Sequence, residues 1–200
     1  TGASRGIGHA TVRKFSEEKW RVITCSRQAF DTKCPWPGGE ANHVQVDLSN
    51  PNNTLEAIDE VKKRIDGKLH ALVNNAGISP KGENGERLDT LGTDLSTWGK
   101  VFHVNFFASV ILARGLKEEL LSAQGAIVNV TSIAGSRVHP FAGAAYATSK
   151  AALGALTREM SKDFGPLGVR VNAIAPGEVK TAILSEGTDK IVADIPMKRL

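Results

Sequence analysis

The chain begins with Thr1-Gly2-Ala3-Ser4-Arg5-Gly6-Ile7-Gly8, a turn with spaced glycines that runs directly into a stretch with helical periodicity. Glycines in such a turn let the backbone approach a pyrophosphate closely, and the free N–H groups at the start of the following helix attract its negative charge. A tight connection without a ligand has a similar composition, and this glycine spacing differs from the usual GxGxxG. The stretch indicates a strand-turn-helix unit suited to a dinucleotide.

Strand-like and helix-like stretches alternate along the rest of the chain. Short apolar runs typical of buried strands lie at 21–25, 43–46, 70–73, 126–131 and 169–174, with helical apolar patterns between them. This alternation predicts an α/β fold, a Rossmann-like doubly wound parallel sheet with helices on both faces. We expect residues 1–200 to form one dinucleotide-binding domain, with the first and last strands outside this chain and a mobile substrate lobe at about 177–200.

Ser26 and Arg27 follow the first strand-like run, at the position where a dinucleotide fold meets the adenosine ribose. An acidic residue there would hold the 2′-hydroxyl of NAD, whereas this chain offers a hydroxyl and then a guanidinium. Arg27, with Arg5 in the glycine turn, is suited to bind a 2′-phosphate, which predicts NADP(H) as the preferred cofactor and NAD(H) as the alternative. Two solvated arginines near a loop would give the same pattern.

Polar and small residues follow the next two strand-like runs. Asp47-Leu48 offers an acceptor for an adenine amino group, although an aspartate that caps a turn explains the residue equally well. Asn74-Asn75-Ala76-Gly77 leaves room for a flat ligand, and its amides can tie neighbouring strand ends together. The polar stretch from Pro80 to Asp94 is expected to form a surface loop or short lobe with a functional or mobile character.

An amide interrupts the apolar stripe of the helical stretch that starts at Leu95. Asn105 shares this face with apolar residues, and a buried amide without partners costs about 1–3 kcal/mol. We therefore expect Asn105 to bind backbone, water or a site residue. A satisfied core asparagine without a functional role is an equally good interpretation.

The stretch from Gly143 to Lys150, GAAYATSK, places a phenol and an amine four residues apart in an alanine-rich helical run. Residues at this spacing share one helix face, so the Lys150 ammonium is expected to lower the pKa of Tyr146 from about 10 towards neutrality. Ser132 ends a strand at the same sheet edge, so its hydroxyl can converge with the phenol. An alanine-rich helix can also carry such a pair by chance, and His139, next to a proline, more often has no chemical role than a substrate contact.

The composition is that of an ordinary globular chain. The 200 residues are 41% hydrophobic and 23% charged, with a net charge of +4. Basic residues are dispersed, which argues against a nucleic-acid partner. Cys25 and Cys34 form no CxxC pair, so we expect neither a disulfide framework nor a metal site, and a reducing, cytoplasmic setting. No apolar run reaches the length of about 18 residues that a membrane span requires, so no membrane partner is expected.

Several motifs together occur in the order and spacing of one family. They are Thr1-Gly2-x-x-x-Gly6-Ile7-Gly8, Asn74-Asn75-Ala76-Gly77, Asn105, Ser132, Tyr146-x-x-x-Lys150, Asn172 and Pro176-Gly177-x-x-x-Thr181. In these motifs the chain resembles the short-chain dehydrogenase/reductase family over essentially its whole length. Within the family it is most similar to bacterial enzymes of the 3-oxoacyl-[acyl-carrier-protein] reductase type.

The resemblance implies a catalytic set and a set of cofactor contacts. Tyr146 would be the catalytic acid or base, Ser132 would hold the substrate oxygen, Lys150 would bind the nicotinamide ribose, and Asn105 would hold a water that links Lys150 to solvent. The implied cofactor contacts are Gly2, Ser4, Arg5, Gly6, Ile7, Gly8, Ser26, Arg27, Asp47, Leu48, Asn75, Ala76, Gly77, Tyr146, Lys150, Pro176, Gly177, Val179 and Thr181. The resemblance also implies a homodimer or a homotetramer.

The prediction from the sequence is an NADP(H)-dependent oxidoreductase that interconverts a carbonyl group and a secondary alcohol of a small molecule by hydride transfer. A dinucleotide-binding regulator or scaffold that has lost turnover is the alternative. The presence of the complete catalytic set argues against that alternative, because a protein without turnover has no need to keep it.

Overall fold

The computed structural model describes residues 1–32, 36, 38–181, 183–184 and 187–200. The strands in these ranges are β1 (Thr24–Ser26), β2 (His43–Gln45), β3 (Ala71–Asn74), β4 (Ala126–Val130) and β5 (Arg170–Ile174). The α-helices are α1 (Gly6–Glu17), α2 (Pro51–Lys62), α3 (Leu95–Phe102), α4 (Ala108–Gly115), α5 (Lys117–Ser122) and α6 (Ala144–Phe164). The predicted alternation of strands and helices is confirmed.

The strands pair in parallel, as predicted, and form two ladders. In one ladder β1 pairs with β2, with Cys25 opposite Val44. In the other, β3, β4 and β5 lie in that order, with Ile127 of β4 between Leu72 and Val171 of its neighbours. The predicted single sheet is therefore divided, because no described strand pairs with both β1 and β3.

The first residues of the chain join the two ladders. The amino group of Thr1 donates to the carbonyl oxygen of Val73 in β3 at 2.8 Å, and the N–H of Ala3 donates to the carbonyl oxygen of Cys25 in β1 at 3.3 Å. These bonds place the glycine turn at the carboxyl ends of the parallel strands, where a Rossmann-type fold requires it. The predicted fold class is confirmed.

Helices pack on the strands and bury a shared apolar core. The helix α2 packs against β2 and α4, whereas α6 packs against β4, β5 and α3. Core residues such as Ile58, Leu116, Ile127 and Met160 are all buried, as the apolar periodicity of the sequence predicts. None of the helices in the described ranges is long and apolar enough to cross a bilayer.

Two segments differ from the sequence-based expectation. The helical stretch from Leu95 is interrupted by a π-helical turn at His103–Phe107, which separates α3 from α4. The run at 21–25 forms a strand only from Thr24. Strand pairing among the described residues starts at Thr24 and His43, and the chain directly before β2 forms a 3-10 helix at Gly39–Asn42.

The predicted loop from Pro80 to Asp94 contains turns and neither helix nor strand. It is attached to the start of α6, because Nε of Arg87 donates to the carbonyl oxygen of Ala142 at 2.8 Å and the N–H of Ala144 donates to the carbonyl oxygen of Leu88 at 2.9 Å.

The predicted substrate lobe at about 177–200 contains a 3-10 helix at Thr188–Asp194. Its mobility stays a prediction. Part of this lobe lies outside the described residues, as does Cys34.

A chain of buried amides crosses the centre of the three-stranded ladder. Nδ2 of Asn74 donates to Oδ1 of Asn129 at 2.9 Å, and Nδ2 of Asn129 donates to Oγ1 of Thr157 on α6 at 2.9 Å. Asn129 is 0% exposed, so these bonds replace its contacts with water. The network fixes β3, β4 and α6 relative to one another.

Asn129→Ala is expected to lower the free energy of unfolding by about 1–3 kcal/mol, because a buried amide loses its partner. Urea denaturation followed by circular dichroism measures this change. Asn172→Ala is the matched control, since Asn172 is exposed and lies in the neighbouring strand opposite Val128. The control should change the free energy by less than about 0.5 kcal/mol. Equal effects of the two substitutions would contradict the role given to the network.

Candidate active site

Close backbone packing against the end of β3 builds the glycine turn. Gly2 has a φ of +65°, and a Cβ atom added to Gly8 would lie 2.2 Å from the carbonyl oxygen of Gly2 and 2.4 Å from Nδ2 of Asn75. Position 8 therefore accepts only glycine without rearrangement. Nδ2 of Asn75 also donates to the carbonyl oxygens of Thr1 at 3.0 Å and Gly2 at 3.2 Å, which holds the turn in place.

The helix α1 leaves this turn with its first N–H groups free of side-chain caps. Its N-cap residue, Arg5, makes no capping hydrogen bond, and its first turn contains no acidic residue. Because the helix start lines a large cleft, its N–H groups and its dipole favour an anion there. The local chemistry fits a pyrophosphate.

A single cleft of about 740 Å³ contains the whole predicted cofactor set. Every predicted contact, from Gly2 in the turn to Thr181 after β5, lines this cleft, and Ser132 does so as well. Asn105 does not line it and is 1% exposed. The grouping follows from the fold, because the carboxyl ends of parallel strands meet at one edge. Binding of a cofactor by these residues stays a prediction.

At one end of the cleft, side chains after β1 and β2 make local hydrogen bonds. Oγ of Ser26 donates to the carbonyl oxygen of Gln28 at 2.9 Å, whereas Arg27 is exposed. Oδ1 of Asp47 accepts from the N–H of Ser49 at 2.9 Å, and this bond is the main cause that lowers the pKa of Asp47. The structure thus shows the turn-capping role of Asp47, and the adenine contact stays a prediction.

An aromatic wall that the sequence did not predict lies at the same end. The ring centroids of Phe30 and Trp36 lie 5.3 Å apart, edge to face, and the ring of His43 lies 6.1 Å from that of Phe30. All three residues line the cleft. Their positions in the sequence have no periodicity, so no local pattern indicated them. An apolar surface of this kind suits the face of a nucleoside base.

Tyr146 and Ser132 meet at the other end of the cleft. Both side chains line the cleft, and Oγ of Ser132 accepts from the N–H of Ala134 at 3.2 Å. The fold thus brings the two residues to one cleft, as predicted. Their roles in catalysis stay a prediction.

Lys150 is buried next to Tyr146 on α6. Its Nζ lies 5.9 Å from the centroid of the Tyr146 ring and donates to the carbonyl oxygen of Val130, the last residue of β4, at 2.6 Å. Only 4% of Lys150 is exposed, and this burial lowers its pKa to about 8. The lysine therefore joins α6 to the end of β4.

The predicted fall in the pKa of Tyr146 is wrong in direction. Burial raises the pKa of Tyr146 above its ordinary value, Ser132 opposes this, and the charge of Glu178 adds to it. Burial also lowers the pKa of Lys150, to about 8, because a low dielectric disfavours the charged form of both groups. Helix spacing did not reveal the depth of burial. Tyr146 is a protonated phenol at neutral pH.

Asn105 lies in the π-helical turn and uses both ends of its amide. Oδ1 accepts from the N–H of Ile78 at 2.8 Å, and Nδ2 donates to the carbonyl oxygen of Ile78 and to Oγ of Ser149, both at 3.0 Å. Ser149 donates in turn to the carbonyl oxygen of Tyr146 at 2.7 Å. The expectation that this amide binds backbone is confirmed, and the implied water stays a prediction. Single π-turns inside helices are frequent at functional sites.

A buried pair of His139 and Glu178 was also missed. Nε2 of His139 lies 2.6 Å from Oε1 of Glu178, and each side chain is 10% exposed. Both residues line the cleft, together with Ser132 and Tyr146. The pair joins positions 39 residues apart, a separation that no local pattern reveals.

The fold and the contents of the cleft define the class of the protein as a Rossmann-type oxidoreductase. The chain belongs to the short-chain dehydrogenase family, whose profile matches residues 1–191. The resemblance inferred from the sequence motifs is confirmed. An oxidoreductase that acts on alcohol or carbonyl groups follows from this membership.

Individual relatives agree with this assignment. An oxidoreductase of the family from Brucella ovis, crystallised with partially ordered NAD, is 65% identical, with a TM-score of 0.86 over 90% of this chain and 82% of that chain. Protein FixR from Bradyrhizobium diazoefficiens is 59% identical over 100% of this chain and 73% of its own length. A 3-oxoacyl-[acyl-carrier-protein] reductase from Synechocystis is 30% identical over 100% of this chain and 81% of its own length.

Tyr146 is the only tyrosine in the chain, so the ultraviolet absorbance of tyrosinate reports its titration alone. In rapid pH jumps, the wild-type protein should titrate above the ordinary pKa near 10, because the phenol is buried. Ser132→Ala should raise this pKa further by removing the opposing effect of Ser132. Ser136→Ala, at an exposed serine in the adjacent turn, is the control and should leave it unchanged. A wild-type midpoint below 10 would show that burial does not dominate.

Proposed function

We propose that this protein is an NADP(H)-dependent oxidoreductase that interconverts a carbonyl group and a secondary alcohol of a small molecule. The observation that carries the proposal is that Tyr146 and Ser132 line the same cleft as the glycine turn. In this proposal Tyr146 is the proton donor and Ser132 the anchor of the substrate oxygen, in a cleft that suits a dinucleotide. Membership in the short-chain dehydrogenase family supports the reaction type.

The residues of the cleft fit a dinucleotide along its length. The free N–H groups at the start of α1 suit the pyrophosphate, and Arg5 and Arg27 suit a 2′-phosphate. As the family resemblance implies, Lys150 would contact the nicotinamide ribose and the backbone of Val179 the carboxamide. Thr181 would approach the same carboxamide or the pyrophosphate. When bound, the cofactor supplies the nicotinamide ring that gives or accepts hydride.

The choice of NADP(H) over NAD(H) rests on charge. The Brucella ovis relative was crystallised with NAD, which supports a nicotinamide dinucleotide without deciding the 2′ substituent. Neither Ser26 nor Arg27, where a 2′-hydroxyl acceptor is expected, is acidic, and Ser26 already bonds to the carbonyl oxygen of Gln28. Arg27 remains exposed at the cleft and favours a phosphate.

In the reduction direction, Ser132 holds the carbonyl oxygen and Tyr146 donates its proton to that oxygen as the alcohol forms. The raised pKa of Tyr146 keeps the phenol protonated at neutral pH, which suits this role. Lys150 fixes α6 to the end of β4 through Val130. Asn105 supports the same helix turn through Ser149 and would hold the water of a proton relay.

No observation favours the alternative of a regulator or scaffold without turnover. We further propose a homodimer or homotetramer from family membership, a reducing, cytoplasmic location from the cysteine content, and no nucleic-acid or membrane partner.

Tyr146→Phe keeps the aromatic ring and removes one oxygen. Turnover should fall by about 10²–10⁴, the usual contribution of general acid catalysis, while the dissociation constant of the cofactor changes little. NADPH oxidation with a panel of carbonyl substrates measures turnover, and fluorescence titration measures affinity. Thr148→Ala removes another hydroxyl of the same helix, one that donates to the carbonyl oxygen of Ala144, and should stay within a few-fold of wild type. A Tyr146→Phe protein as active as this control would place the proton donor elsewhere.

Arg27→Ala should weaken NADP binding at least about tenfold and leave NAD binding nearly unchanged, because a charge-assisted bond to the 2′-phosphate is lost. Isothermal calorimetry with both cofactors measures the two constants. Arg13→Ala is the control, since Arg13 lies on α1 with a side chain that is 67% exposed and paired with Glu17. Equal losses for NADP and NAD would mean that Arg27 supports the loop and does not read the phosphate.

A further inference from the structure

His139 holds Glu178 through one hydrogen bond of fixed direction. Nδ1 of His139 accepts from the N–H groups of Phe141 and Ala142, both at 3.2 Å, so Nδ1 cannot carry a proton. The ring proton is therefore on Nε2, which donates to Oε1 of Glu178 at 2.6 Å. The imidazole is neutral in this arrangement, and the pair has the single negative charge of the carboxylate.

This negative charge lines the cleft and has one donor among the described residues. Each side chain of the pair is 10% exposed, and a carboxylate offers about four acceptor positions. Among the described residues, only His139 bonds to Glu178, and no lysine or arginine forms an ion pair with it. Lys81 donates instead to the carbonyl oxygen of Phe141. Acceptor positions of Glu178 therefore remain for a donor that enters the cleft.

The position of Glu178 in the cleft indicates where that donor comes from. The carbonyl oxygen of Pro176 accepts from the N–H of Ile133 at 3.1 Å, which holds the segment of Glu178 next to Ser132. The charge of Glu178 is close enough to Tyr146 to raise its pKa. A donor that reaches Glu178 from the cleft is therefore attached near the oxygen that Ser132 and Tyr146 bind.

We propose that Glu178, positioned by His139, is a second substrate-binding residue that accepts a hydrogen bond from a hydroxyl or ammonium group next to the reacting carbon. The substrates are then hydroxy ketones or amino ketones, and the reduced products are vicinal diols or amino alcohols. The inference rests on the proposed function, because it takes Ser132 and Tyr146 as the binding site of the reacting oxygen.

Four small alcohols that share a CH3–CHOH unit test the proposal by NMR titration of the NADP-loaded protein. Isopropanol has no second donor, propylene glycol adds a hydroxyl, isopropanolamine adds an ammonium, and lactate adds a carboxylate. The glycol and the amine should bind on the order of tenfold more tightly than isopropanol, the gain expected of one hydrogen bond to a charged group.

Variants at Glu178 separate hydrogen bonding from charge. Glu178→Gln keeps an amide oxygen without a charge, so it should remove the advantage of the amine and reduce that of the glycol. Glu178→Leu removes the acceptor and should make the glycol, the amine and isopropanol bind equally. Glu159→Gln, at an exposed position of α6, is the control and should keep the wild-type order. The Gln variant alone carries the test if the Leu variant does not fold.

Equal binding of isopropanol, the glycol and the amine to the wild-type protein would overturn the proposal. Tighter binding of lactate than of the glycol and the amine would also overturn it and would assign the site to Lys81. NADPH oxidation with a carbonyl panel is measured separately. Failure of the proposed function appears there as absent turnover, whereas failure of this inference leaves turnover intact and removes only the preference for a second donor.

Discussion

At the carboxyl ends of parallel strands, some backbone N–H and C=O groups have no hydrogen-bond partner in a neighbouring strand. The site depends on the side chains that form hydrogen bonds with these groups. Nζ of Lys150 binds the carbonyl oxygen of Val130 at the end of β4. Asn75 binds the carbonyl oxygen of Gly2 in the glycine turn, and Asn105 binds both backbone groups of Ile78 after β3. The bonds that complete the sheet edge thus also fix the geometry of the site.

Burial decides the ionisation of the two groups that the motif places together. Lys150 is held among backbone and apolar groups, and its pKa falls to about 8, while burial raises the pKa of Tyr146. The two shifts have one cause with opposite signs, because a low dielectric disfavours the charged form of both an amine and a phenol. The phenol is therefore protonated at neutral pH, and Nζ of Lys150 links α6 to the end of β4.

The sequence was sufficient for the fold and for placing the predicted cofactor contacts in one cleft, because both depend on periodicity and order. Apolar runs and glycine turns alternate along the chain, and residues that follow parallel strands must meet at one edge. The π-turn around Asn105 was not predicted, since a single wider helical turn has no signature in composition. The pKa of Tyr146 depends on depth of burial, and the contact between His139 and Glu178 joins distant segments. Neither property is encoded locally.

Charged side chains are distributed unevenly along the cleft. Those at its two ends differ in the sign of their charge and in their exposure to solvent. Arg5 and Arg27 are exposed, so salt screens their attraction for a phosphate over about 8–10 Å at moderate ionic strength. Glu178 is buried beside Tyr146 and is screened much less. In the proposed function the exposed cations attract the anionic cofactor from solution and favour one orientation of it. The proposed role of the carboxylate is to discriminate, over short distances, among groups that are already bound.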